Sequence, residues 1–347
     1  MAATTEQGGL PEPGPESARA VPAGVEYHRV LAGERRRIGR GVLAIVLLLA
    51  GMVVLPTVLG RMSALVDAQL GNTPTTVGGT DYTPLQHATT MIALGLLAPW
   101  SMLVQRLLYG APGASLHSVV SRFRLDLLGR ALLVLGPGWL IVNGLGALVA
   151  PAEEMPWSQA ELLVMFLVVL VLTPLQATGE EYGFRGLMFR VLGSWARGRR
   201  AGLVTGVLAS SVLFTAVHGS TDPYINVWYF VLGAGLAVIT WRTGGIEVAV
   251  VLHAVLNTGV FLVAVLLRID LGAALQDRSA GVGSPYQLVP TLAVVVITAA
   301  VWWWARGTGP ARTPAARAGD EAAATGPRDR SVESGRERPA VSGKPVL

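Results

Sequence analysis

The chain alternates long apolar runs with short polar stretches. A helix crosses the hydrocarbon of a bilayer in about 20 residues. Eight runs approach or exceed that length, at roughly 41–60, 88–108, 127–149, 160–189, 201–218, 225–241, 246–267 and 288–305. The second is interrupted by Pro99 and the fifth is short. The pattern predicts an all-α, polytopic membrane protein with eight transmembrane helices. Residues 1–24 and 306–347 are rich in Pro, Gly, Glu and Ala and lack any apolar period, so they read as disordered N- and C-terminal tails. A transmembrane domain over 25–305 remains. The first apolar run starts near Gly41 and is too long for the core of a cleavable signal peptide.

Composition agrees. Hydrophobic residues make up 52% of the 347, and charged residues 14%, against about 25% in soluble domains. So few charges cannot clothe so much apolar mass in water. There are no cysteines, which excludes disulfides, Cys-ligated zinc, iron–sulfur clusters and thiol catalysis. Of the net charge of +5, the first 40 residues and the stretch after Val301 carry +4, and the body between them is nearly neutral, so no nucleic-acid partner is expected. Lys344 is the sole lysine. Arginine in its place, with abundant Ala and Gly, points to a GC-rich genome and a bacterial plasma membrane.

Arginine also sets the orientation, because basic residues accumulate in cytoplasmic loops. Arg35, Arg36, Arg37 and Arg40 precede the first run. Arg122 and Arg124, flanked by Arg106 and Arg130, separate the second and third. Arg190, Arg197, Arg199 and Arg200 lie at the turn from fourth to fifth, and Arg242 follows the sixth. The alternate loops hold only Arg61, Arg268 and Arg278, and one carries Glu153 and Glu154. Both termini are therefore expected in the cytoplasm. Trp302, Trp303 and Trp304 close the last run as an interfacial anchor.

Polar residues inside the runs carry the chemistry, since an ionisable group at depth costs at least about 2.5 kcal/mol. The first cluster is EEYGFR, Glu180 to Arg185. Glu181 and Arg185 are one turn apart in the order that favours an ion pair. Glu180 is rotated about 100° from Glu181 and points elsewhere. The plain alternative is a surface salt bridge at a helix end. The second cluster is FTAVH, with Phe214 and His218 on one face; alone, it reads as a histidine capping a span. The third is HAVLN, with His253 and Asn257 stacked one turn apart; alone, it reads equally as polar glue between helices. Together they supply a carboxylate and a histidine to activate water, and a histidine and an amide to donate to a developing oxyanion.

EEYGFR, FTAVH and HAVLN, in that order on three helices, resemble the CPBP intramembrane proteases, the CAAX-type or Abi-type glutamic endopeptidases, whose pattern is EExxxR, FxxxH and HxxxN or HxxxD. The resemblance covers about 174–259, within a catalytic part of about 159–267. It implies an eight-helix bundle with a polar cavity open to the cytosol. Glu180 and His218 would activate the attacking water. His253 and Asn257 would form the oxyanion hole, and Arg185 would hold Glu181. The implied activity is hydrolysis of peptide bonds in a membrane-associated peptide or protein substrate, without a metal or other cofactor.

Other readings are open at this point. Glu180, His218 and His253 could form a His2Glu zinc set. Relatives that act by interaction make a non-catalytic membrane scaffold, or an immunity protein against bacteriocins, the main alternative. A transporter fits less well, because no inverted repeat is visible and the first three runs lack buried charges. Depth poses a difficulty. At 1.5 Å per residue His218 lies roughly 25 Å from the start of its run, too deep to meet His253 at roughly 10 Å. The fifth helix must either begin in the cytosol or tilt steeply. In a bacterial membrane, peptides or membrane proteins are better substrates than prenylated ones; the sequence specifies neither cleavage site nor oligomeric state.

Overall fold

The computed structural model describes residues 21–33, 36–148, 155 and 157–315. Most of both tails, and the Glu153–Glu154 pair, lie outside the described residues. Eight helices are long and apolar enough to cross a membrane, and no strands occur among the described residues. The first is α1, Ile38–Gln69. The second span consists of α2, Pro84–Gly95, and α3, Leu97–Tyr109. Its break falls at Leu96, not at Pro99 itself. A proline ring collides with the carbonyl four residues earlier, which here belongs to Gly95, so the interruption appears one turn upstream. Then come α4, Leu125–Ala147, and α5, Gln159–Glu181. A π-helical stretch, Tyr182–Met188, joins α5 to α6, Phe189–Trp195, so that the fourth span is 37 residues long. The remaining helices are α7, Arg199–Val217; α8, Pro223–Thr243; α9, Glu247–Leu266; the short α10, Leu271–Gln276; and α11, Leu288–Trp304.

The π-helical stretch begins immediately after Glu181, at the centre of EEYGFR. Insertions of this kind often mark functional sites, because they re-aim the side chains around them.

The long fourth span resolves the depth difficulty. α7 runs back along its second half. Gly202 sits against the Gly193 carbonyl, Gly206 against Phe189, and the Phe214 ring packs edge-on to Phe184 at 5.1 Å. As α7 advances, its partner positions retreat along the fourth span toward Glu181. His218 caps the C-terminus of α7 and so arrives beside the polar cluster. The hairpin from α6 to α7 extends past the cluster, so that α7 returns to it at its C-terminal end.

Several arginines read as topology signals are structural. Arg190 is fully buried, donating to Gln105 and Ser115 and lying over the Tyr27 ring at 3.9 Å. Arg124 makes a two-pronged pair with Glu247, which is itself wholly buried at the start of α9. Arg242 is buried and donates to the Ala305 carbonyl. Arg37, Arg40, Arg122, Arg197 and Arg200 remain exposed, as topology markers should.

The tail boundaries also move. Residues 21–24 and 306–315 fall in the tails by composition, yet Gly24 N donates to Thr313 O, and the Thr313 hydroxyl donates to Pro22 O. Glu26 and Arg312 form an isolated antiparallel bridge. The two ends of the membrane domain thus meet on one face of the bundle, as an even number of spans requires. Backbone pairing, invisible to composition, orders them.

Candidate active site

Glu180 and Glu181 end α5, Arg185 lies in the π-helical stretch, Phe214 and His218 come from α7, and His253 and Asn257 from α9. These seven residues form one cluster. Glu181 and Arg185 are 0% and 1% exposed, which excludes a surface salt bridge. Arg185 Nε lies 3.2 Å from Glu181 Oε2. The guanidinium also covers the Phe214 ring at 4.2 Å. An aromatic face is one of the few apolar surfaces that attracts a cation. Among the described residues no acceptor meets the two Nη atoms of Arg185. The ring is thus an integral part of how this charge is buried, and a physical reason for Phe at position 214.

Glu181 holds a second partner. Its Oε1 accepts from His253 Nδ1 at 2.7 Å. That bond leaves His253 Nε2 directed toward Glu180, 3.7 Å from Oε2. The two adjacent carboxylates therefore differ in their surroundings. Glu181 is fixed between Arg185 and His253, whereas Glu180 has no arginine and keeps slight exposure at 7%.

His218 donates Nδ1–H to the Phe214 carbonyl one turn earlier, at 2.6 Å. It does cap its span, but this bond also specifies the tautomer: Nε2 carries the lone pair. The ring stacks on Tyr229 of α8, centroids 3.7 Å apart, and touches Phe214 at 4.7 Å. Phe214 also meets the His253 ring at 6.2 Å. Phe214 is the buried hub between the two histidines. His218 and Asn257 are half-buried, so they form the open side of the cluster.

Two participants escaped sequence reasoning. Tyr229 gives no signal in an apolar run. Gln176 was visible, one turn before Glu180. Its Nε2 donates to Glu180 Oε1 at 2.7 Å, and its Oε1 accepts from Asn257 Nδ2 at 3.1 Å. A single buried amide thereby joins the carboxylate to the asparagine. Its spacing from Glu180, the same i, i+4 interval as Glu181 to Arg185, was the available clue. Gln176→Leu is expected to lower turnover about tenfold by freeing both partners, while Gln176→Glu disturbs Glu180 by charge repulsion. Cleavage kinetics with a fixed substrate read both; full activity in the leucine variant contradicts a positioning role.

The backbone beside Glu180 is tightly set. A Cβ on Gly179 would lie 2.0 Å from the Leu94 carbonyl oxygen. Only glycine lets α5 approach the end of α2 so closely. Gly179→Ala is expected to destabilise the fold by about 1–3 kcal/mol, the usual cost of overpacking. Unfolding in detergent would test this, and a neutral result would show that α2 moves freely.

Among the described residues, no group of three His, Asp or Glu side chains converges at metal-ligand spacing.

The family model for type II CAAX prenyl endopeptidases, Rce1-like, matches residues 159–259. The matched stretch begins with α5 and ends within α9, and it contains all seven clustered residues. It is consistent with the CPBP or CAAX protease family and supports an endopeptidase embedded in the membrane. No curated protein and no solved structure matches the chain significantly.

Proposed function

We propose that this protein is an intramembrane glutamic endopeptidase that hydrolyses membrane-associated peptides or proteins with a water activated by Glu180 and His218. The observation that carries this reading is the unequal environment of the two carboxylates. Glu181 is held by Arg185 and His253, whereas Glu180 accepts a hydrogen bond from Gln176, has no arginine and faces His253 Nε2 only at 3.7 Å. A general base must be positioned and not spent on a permanent ion pair with an arginine. Glu180 meets that description and Glu181 does not.

The bare Nε2 of His218 is the second proton acceptor. A water between it and Glu180 would lose its proton as it attacks the peptide carbonyl. The carbonyl carbon gains the hydroxyl, and its π electrons move onto oxygen. The developing oxyanion meets His253 Nε2–H and the Asn257 amide, with His253 protonated at both nitrogens. Two carboxylates, Arg185 and such an imidazolium sum to zero, a balance that suits a site in lipid. Asn257 must release Gln176 or share its second N–H to serve. The proton held by Glu180 or His218 then passes to the leaving amine as the C–N bond breaks.

Both termini on the cytoplasmic side fit the exposed arginines Arg37, Arg40, Arg122, Arg197 and Arg200. The test is cleavage of membrane peptides by the purified full chain in lipid vesicles, read by mass spectrometry. Internal cleavage is expected, and it should survive a strong zinc chelator undiminished. Loss of activity with chelator and recovery with zinc would replace the water-activating glutamate by a metal.

A further inference from the structure

We propose that a cavity of about 370 Å³ beside Glu26 binds the phosphate group of an anionic ligand, carried by a membrane phospholipid headgroup or by a free phosphate ester. The cavity is lined by Arg29, Arg199, Arg312 and Glu26, with Pro22, Gly24 and Val25 in its wall. Three arginines and one glutamate line it. A phosphate is the anion that best suits this geometry, because its oxygens accept the paired N–H groups of arginine.

The arginines are not equally committed. Arg199 pairs with Glu26 but leaves 60% of its side chain exposed. Arg29 donates to the carbonyls of Gly193 and Ala196, which fix the side chain without cancelling its charge. Arg312 is exposed, and its backbone bridges to Glu26. Glu26 is 3% exposed. Burial pushes its carboxyl up, but hydrogen bonds from Trp241 and Arg199 outweigh this and hold it below the usual range. It therefore stays ionised and neutralises only one of the three arginines.

The surroundings of the cavity suit the depth of lipid headgroups. Arg199 is the first residue of a 19-residue span, just long enough for the hydrocarbon, which requires about 20 residues. Glu26 accepts from Trp241 at 2.9 Å, and the Trp241 ring meets Trp302 at 5.2 Å. Trp302, Trp303 and Trp304 are all exposed, as expected of an aromatic belt at the interface. Basic pockets between helices at this level suit anionic headgroups. The cavity is separate from the polar cluster: Arg29 grips Gly193, about 20 Å along the helix from Glu180. The inference is independent of the endopeptidase reading.

The test uses the full chain in detergent. Native mass spectrometry would follow retention of phosphatidylglycerol against phosphatidylcholine. Thermal unfolding would follow inorganic phosphate against chloride at equal ionic strength. Arg312→Glu and Arg199→Gln both change exposed side chains. Preferential phosphatidylglycerol retention, weakened about tenfold in either variant, supports the site and identifies a lipid. Stabilisation by inorganic phosphate in the wild type alone, without lipid preference, supports the site and identifies a free phosphate ester. Equal retention of both lipids together with no phosphate effect, or binding unchanged in both variants, overturns the proposal.

Discussion

Glu180→Gln is expected to reduce peptide cleavage about 10³-fold while leaving the protein folded. Glutamine keeps the shape of the side chain, and its carbonyl can still accept from Gln176, whose bond to Glu180 measures 2.7 Å. What disappears is the charge that removes a proton from water. His218→Ala should cost about as much, because its free Nε2 would share the same water. The informative result is the double variant. Two groups acting on one proton lose their effect together, so the pair of substitutions should be hardly worse than either alone. Losses that multiply would show two separate roles and would break the shared-water mechanism. Turnover of one substrate by all four proteins, at matched folded concentration, measures it.

Arg185→Met is the substitution with the largest expected effect on stability. The guanidinium is 1% exposed, lies 3.2 Å from Glu181 and covers Phe214. Methionine fills much of the space but leaves a buried carboxylate with only His253 beside it. Breaking one side of a buried pair costs about 3–5 kcal/mol. Adding Glu181→Gln removes the orphaned charge and should restore a substantial part of the loss. Denaturant unfolding in mixed micelles would report both steps. A loss below about 1 kcal/mol in Arg185→Met would mean the pair is solvated and does not anchor the helix.

The spans were legible because a bilayer imposes length and apolarity on each helix separately. All eight are recognisable from single runs of sequence. The site was partly legible for a related reason. Glu180, Glu181, Arg185, His218, His253 and Asn257 are costly in lipid, so each stands out where it occurs, and the structure brings them together. What was hidden depends on partners distant in sequence. Arg124 meets Glu247 across 123 residues, and Arg190 reaches Ser115 across 75. Nothing in an arginine's own neighbourhood distinguishes such a role from a topology signal. The pairing of Gly24 with Thr313 spans almost the whole domain and uses only backbone atoms. Gln176 lay between these cases, since unlike Asn257 it has no histidine one turn away and its partner Asn257 is 81 residues distant. The break at Leu96 was displaced from Pro99 because the proline's clash acts on the preceding turn.

The central claim is that Glu180 makes this protein a peptidase rather than a scaffold. It is tested most directly by mapping protein N-termini in membranes of cells that carry either the wild type or Glu180→Gln at equal abundance. The account predicts new N-termini, arising within membrane-associated proteins, that are present with the wild type and missing with the variant. Identical N-termini in both, alongside an unchanged cellular phenotype, would contradict it and leave a non-catalytic membrane partner in its place.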